Sequence, residues 1–478
     1  MNDLDRLYRT SDAVGLAENV ARGDVTPSEL VEAGIRAIED MNPALNAVIH
    51  KLYNMGRKGA ETVKPGSSPL AGVPFLLKEL ASAWEGAPLT NSSRFLKDQV
   101  AGGDSEISRR LRAAGLLLLG KSNAPENGWS ITTEPALYGP TVNPWDPGVT
   151  AGGSSGGTAA AVASGMIPIA EASDGAGSIR VPASCCGLVG LKPSRGRVTL
   201  SPIADYWSGC AYFLCNSRTV RDTAAYLDVI QGALPGDPYW IEPPRTSYMQ
   251  QIGRAPGKLK VGMVLTPPDG GSLDPEIRTL VERVGKTLEG MGHEVNDHDM
   301  WLPQDAWRTY TDMTCVETAG LYDFMATLVG RAPTPDDVEP VTWAIIERGR
   351  ATRATEHAQR VEQVRQMARG IVQDLDSFDV VLTPTLTQKP RPVGFYDMSM
   401  TDLDAYNALW SDSVFQYPFN MSGQPAISLP LGEAGGLPAG VQLVARRGDE
   451  GRLLALSAVL EKELPWSERR PSVHHDRP

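Results

Sequence analysis

Histidine and cysteine are both scarce. Six histidines are scattered through 478 residues, and the five cysteines include no Cys-x-x-Cys pair. Metal sites are built from clusters of such residues, so no metal-ligating set is expected. A small, odd number of cysteines in a long chain excludes a disulfide scaffold, and adjacent Cys185 and Cys186 read as small core residues. Positive charge is not in excess either. The formal net charge of −12 disfavours nucleic acid or an anionic membrane as partner. No stretch approaches the roughly 20 apolar residues that span a bilayer. The opening residues Met1-Asn2-Asp3-Leu4-Asp5-Arg6 lack the basic-then-apolar pattern of a secretory signal, so the cytoplasm is the expected compartment.

What is present is the balance of a soluble globular protein, 41% hydrophobic and 21% charged. The first 50 residues read as two helices, one announced by the capping box Thr26-Pro27-Ser28-Glu29. A helix over 105–114 stops at Gly115, and Leu116–Leu119 reads as a short buried strand. Helix and strand then alternate, which predicts helices packed on a mostly parallel sheet. From about 120 to 200 Gly, Ser, Pro and Ala dominate, yet buried-looking runs such as Ile167-Pro168-Ile169-Ala170 flank them. That region reads as packed core with tight turns, not linker. Residues 236–375 are more helical and more charged, with a strand at Leu259–Val264, and 201–375 as a whole are expected to cover a catalytic core formed by about 60–200 and 376–478.

Two short motifs match and mislead. Gly115-Leu116-Leu117-Leu118-Leu119-Gly120-Lys121-Ser122 fits the phosphate-binding pattern GxxxxGK[ST], but four leucines belong in a strand, not in a loop whose amides cradle phosphate. Gly153-Ser154-Ser155-Gly156-Gly157 fits the nucleophile elbow GxSxG with Ser155 as nucleophile. The residues before it, Asn143-Pro144-Trp145-Asp146-Pro147-Gly148, are turn formers where the elbow needs a strand. Its histidine partner is also wanting: His293, His298 and His357 lie in charged, helix-like surroundings and His474 and His475 in the tail.

A third match is long. Residues Gly152 to Pro193 carry a GGSSGG loop, an Ala-rich helix, the turn Asp174-Gly175-Ala176-Gly177-Ser178-Ile179-Arg180, and Cys186-Gly187-Leu188-Val189-Gly190-Leu191-Lys192-Pro193. Upstream stands Gly72-Val73-Pro74-Phe75-Leu76-Leu77-Lys78-Glu79. Downstream stand Asn420-Met421-Ser422-Gly423-Gln424-Pro425-Ala426 and Gly440-Val441-Gln442. Together, in this order, these blocks resemble the amidase signature family over nearly the whole chain. Within it, Asp174–Ser178 and Cys315 are most similar to bacterial hydrolases of cyclic nylon oligomers and to related urethanases. The resemblance implies one large α/β domain, a mixed twisted sheet covered by helices. It also implies a Ser-cisSer-Lys hydrolase of C–N bonds in small uncharged amides, oligoamides, anilides or carbamates, with no cofactor, working as monomer or homodimer.

The residues fit that chemistry. A serine needs a neighbouring base to attack a carbonyl, and with histidine unavailable a lysine serves only if neutral near pH 7. Burial achieves that, and the apolar run Val73 to Leu77 favours burying Lys78, although by context alone a surface lysine fits equally. Glu79, next in a strand, points to the opposite face. By resemblance Ser178 is the nucleophile, Ser154 the bridge after a cis Gly153–Ser154 peptide, and Lys78 the base. Ser155 would support Lys78 by a hydrogen bond. The amides of Gly175, Ala176, Gly177 and Ser178 would receive the oxyanion, Asp174 and Arg180 would brace the turn as an ion pair, and Cys315 would line the substrate pocket. Tyr206-Trp207, Trp307–Cys315 and Phe415–Phe419 would make that pocket apolar. The rivals are an amidotransferase subunit acting on glutamine, which commonly carries Gln where Val181 stands, a Ser155 Ser-His-Asp hydrolase, and an inactive binding scaffold.

Overall fold

Gly435 and Gly436, both at positive φ, form a two-residue turn that only such backbone conformations close without splaying the strands. The strands it joins are the longest in the molecule. In the computed structural model, which describes residues 3–471 and 473, eleven strands form one mixed sheet. They are β1 (Val48–Lys51), β2 (Pro74–Lys78), β3 (Leu117–Ser122), β4 (Ile169–Asp174), β5 (Val189–Lys192) and β6 (Tyr212–Ser217). The remainder are β7 (Lys260–Met263), β8 (Glu294–Asp297), β9 (Val380–Pro384), β10 (Ala426–Ala434) and β11 (Leu437–Ala445). The order across the sheet is β1-β3-β2-β4-β6-β5-β10-β11-β9-β7-β8.

Strands β2, β3 and β4 are buried along their whole length. This is what helices on both faces demand of a parallel centre, and β2 pairs parallel with both β3 and β4. β2 and β4 therefore point their C-terminal ends the same way, so Lys78 and the turn after Asp174 emerge at one edge of the sheet. β6 runs antiparallel between β4 and β5, and β10 joins β5 to the C-terminal hairpin.

The structure corrects several expectations. The sheet is not mostly parallel: β2–β3, β2–β4, β7–β8 and β7–β9 pair parallel, and the other six pairings are antiparallel. The first 50 residues hold three helices, Asp3–Thr10, Ala13–Arg22 and Pro27–Leu45, because Asp12 caps a separate ten-residue helix before the capping box at Thr26. Residues 201–375 are not a cover alone. β6 lies at the middle of the sheet and β7 and β8 complete one edge. The helical layer within that stretch is chiefly Ala306–Val329, Pro340–Ala351 and Ala354–Leu375. Finally, the strand expected over Leu116–Leu119 runs instead from Leu117 through Lys121 to Ser122, so the phosphate-loop match is strand after its first two residues. Lys121 is fully buried, 2.7 Å from Glu79, and donates to Pro88 O at 2.9 Å.

Among the described residues, no helix is long and apolar enough to cross a membrane. All five cysteines are buried and unbridged.

Candidate active site

Lys78 ends β2 with no solvent exposure. Its Nζ donates to Ser154 Oγ at 2.6 Å and to Ser173 Oγ at 2.9 Å. Burial pulls its proton affinity down to about 7, against the attraction of Glu171 and Asp174.

Ser154 follows a cis Gly153–Ser154 peptide. The glycines before it are sterically required: a Cβ on Gly153 would lie 2.3 Å from Thr132 O, and Gly152 sits at φ 78° against Pro182. Opposite, Gly128 at φ 74° leaves room for Ser154 Oγ, which a Cβ there would approach to 3.3 Å.

Ser178 lies in the turn between β4 and the helix Arg180–Cys186. Among the described residues no hydrogen bond joins its Oγ to Ser154. The turn is built on Asp174. Its carboxylate accepts from the amides of Gly177 (2.7 Å) and Ile179 (3.2 Å), from Arg180 through two bonds of 2.9 Å, and from Asn420 Nδ2. Burial alone would raise the Asp174 carboxyl, but the Arg180 guanidinium overrides it and holds the group at about 2. Arg180 in turn donates to Gln442 Oε1 at 2.8 Å and Asn420 Oδ1 at 2.7 Å. The bracing ion pair is thus present, tied to the C-terminal third of the chain.

Two expected contacts are otherwise. Ser155 does not reach Lys78. Its Oγ donates to Ser173 O and accepts from Ser173 N, because the chain turns into the helix Gly156–Ala163 there. Besides Ser154, the hydroxyl that reaches Lys78 is that of Ser173. Gly177 is not free to receive an oxyanion, since its amide is bonded to Asp174. Among the described residues, the amides of Gly175, Ala176 and Ser178 have no partner in this turn. Ser173 and Glu171 were legible only as two polar residues sharing one face of an otherwise apolar strand, Ile169-Ala170-Glu171-Ala172-Ser173.

The three aromatic stretches converge on this turn. The Trp207 ring lies so close over Gly175 that a Cβ there would clash at 2.2 Å, and Tyr310 donates to Gly175 O. Trp207 packs on Trp129 and Tyr206, and Trp307, Tyr310, Trp410 and Tyr417 form a second cluster. Trp129 Nε1 donates to Thr318 on the helix that carries Tyr310. Cys315 is on that helix, fully buried, its carbonyl 2.2 Å from where a Cβ on Gly349 would stand. The charges nearest its thiol are Arg348, Asp312, Asp404 and Arg308, and burial pushes the thiol up to about 12.

The histidines of the elbow reading are elsewhere. His293 accepts from Leu259 N, His298 pairs with Asp374, and His357 stands 3.8 Å from Glu317. His474 and His475 lie outside the described residues.

The amidase family model matches residues 29–454. A 6-aminohexanoate-cyclic-dimer hydrolase of Pseudomonas sp. (strain NK87) is 40% identical over 97% of this chain and 96% of that protein. An acylamidase of Rhodococcus erythropolis is 33% identical over 96% of this chain and 97% of its own length. The solved structure of a 6-aminohexanoate cyclic dimer hydrolase complexed with substrate superposes with a TM-score of 0.93 at 38% identity, covering 99% of this chain and 100% of that one.

Proposed function

Because this chain belongs to the amidase family and is a hydrolase of carbon–nitrogen bonds in non-peptide amides, we propose that Ser178 is its nucleophile, Ser154 the proton bridge and Lys78 the base. The observation that carries the reading is the fully buried Lys78, bonded through Nζ to Ser154 Oγ on the same sheet edge as the Ser178 turn. Neutral Lys78 takes a proton from Ser154 as Ser154 takes that of Ser178, and Ser178 Oγ bonds to the amide carbon. The oxyanion meets the free amides of Gly175, Ala176 and Ser178, fixed before the reaction begins. Collapse breaks the C–N bond, and the proton returns through Ser154 to the leaving nitrogen. Water then cleaves the acyl-enzyme, or the carbamoyl-enzyme of a urethane, by the same relay. No step calls for a cofactor.

The substrates proposed are small uncharged amides, cyclic or linear oligoamides, anilides and carbamates. The aromatic wall of Trp129, Trp207 and Tyr310 favours them, as do the names of the relatives, one acting on a cyclic 6-aminohexanoate dimer and one an acylamidase. Cys315 belongs to the proposed pocket through its helix face, one turn from Thr311 and Thr318. We place the enzyme in the cytoplasm as a monomer or homodimer. Val181, where glutamine-using subunits commonly carry Gln, speaks against an amidotransferase role.

Intact-mass labelling with a fluorophosphonate tests the triad. One adduct is expected on the wild type and none on Ser178→Ala, with Ser154→Ala and Lys78→Ala strongly slowed. Wild-type turnover of cyclic 6-aminohexanoate dimer, an anilide and a carbamate should rise with pH through about 7 as Lys78 loses its proton. Turnover of a few per cent or more by Ser178→Ala would overturn the nucleophile. If Ser155→Ala were instead the unlabelled protein, the elbow reading would return.

A further inference from the structure

Beside Lys78 lies a second carboxylate that the relay does not use. Glu171, on β4, is fully buried. Its Oε2 accepts the backbone N–H of Lys78 at 2.9 Å, and its Oε1 accepts the hydroxyl of Ser82 at 2.5 Å. A buried charge is costly unless compensated, so each ionised group here needs a partner of opposite sign. The neighbouring charges are already paired. Lys121 on β3 is bound to Glu79, and Asp174 to Arg180. The other titratable groups facing Glu171, Cys215 on β6 and Tyr226 on the helix Val220–Ile230, are pushed well above their ordinary range by burial and stay neutral. That leaves Lys78 as the cation without a carboxylate of its own that answers Glu171, with Lys121 adding a smaller pull.

The geometry of the pair is unusual in one respect. Among the described residues no carboxylate lies within ion-pair distance of Lys78 Nζ, which bonds only Ser154 and Ser173. Glu171 grips the lysine by its backbone amide instead. A carboxylate on Nζ would accept its N–H and hold it as ammonium, leaving no lone pair to take the proton of Ser154. One set back behind the strand end exerts its field without blocking the relay.

We propose that Glu171 is a positioning residue for Lys78, a counter-charge clamped by the Lys78 amide and Ser82 that sets the pH at which the base becomes available. This rests on Lys78 being the base. Burial drives the Lys78 ammonium towards neutrality while Glu171 opposes it, and burial likewise raises the Glu171 carboxyl. Removing the negative charge therefore frees the lysine of its proton at lower pH.

The test is the pH profile of kcat/KM for one amide, together with the pH profile of the fluorophosphonate labelling rate. Glu171→Gln keeps the shape and removes the charge. Its acid limb is expected to move down by about one pH unit, the size of shift an opposite charge at short range produces, with the alkaline plateau retained. Ser82→Ala removes one donor from Glu171, favours its protonated form, and should move the limb the same way by less. This variant carries the test if Glu171→Gln does not fold. A limb that stays in place in the folded variants, whether or not activity falls uniformly, would overturn the proposal and leave Glu171 a structural residue. An active Lys78→Ala would be a different failure, that of the base assignment itself.

Discussion

Asp174 and Arg180 are both without solvent exposure, and each is useful only while the other is charged. Breaking such a pair leaves an uncompensated buried charge, typically at a cost of about 3–5 kcal/mol. Asp174→Asn should lose stability on that scale in chemical denaturation, although its Oδ1 can still accept from the Gly177 amide. The acid side gives a signed check. The Asp174 carboxyl is held at about 2 against an ordinary 3.8, so its contribution is intact above pH 3.8 and drains away as pH falls towards 2. The stability gap between wild type and variant should therefore narrow across that window, and a constant gap would show that the charge is not what is lost. Legibility differed among these residues. Lys78, Ser154 and Ser178 stood in the sequence as parts of long motifs. The contact of Ser173 with Lys78 did not, since it depends on how β4 is placed beside β2, and a short serine looks the same in any small-residue strand.

At the scale of elements, the capping box and the leucine run of β3 were legible, whereas the Asp12-capped helix and the central strand β6 were not. Thr26 with Glu29 forms the capping box that its spelling predicts. Tyr212–Ser217 is the opposite case. Buried on both faces, it shows no period of two, and only its antiparallel pairing with β4 and β5 makes it a central strand. The helix Ala306–Val329 supplies Tyr310 to the turn and Thr318 to Trp129 while resting on Gly349 of the next helix. Cys315 lies between these two roles. Cys315→Ala removes little volume, about 1 kcal/mol of burial, and is expected to change the ranking among amide, anilide and carbamate substrates more than the melting temperature. Equal losses on all three that follow a fall in melting temperature would assign the residue to packing alone.

For the whole molecule, the sheet closes only when the last hundred residues arrive. β10 pairs with β5, and Asn420 and Gln442 complete the bonding of Asp174 and Arg180. A chain stopped at residue 375 would expose the edge of β5 and strand the Arg180 side chain. It is expected to lack cooperative unfolding by circular dichroism and to be cut rapidly by protease, and a stable, cooperative fragment would contradict this account of the core. The same layout separates two kinds of information along the gene. The polar groups about Lys78 come from residues 78–180, whereas Tyr206, Trp207, Trp307, Tyr310 and Tyr417 come from later segments that meet above the turn only in space. Recombination between relatives, with crossovers in the stretches that follow residue 180, would exchange most of the wall, Trp129 excepted, and keep the reaction centre provided Asn420 and Gln442 are retained, so descent can vary what is cleaved without reinventing how.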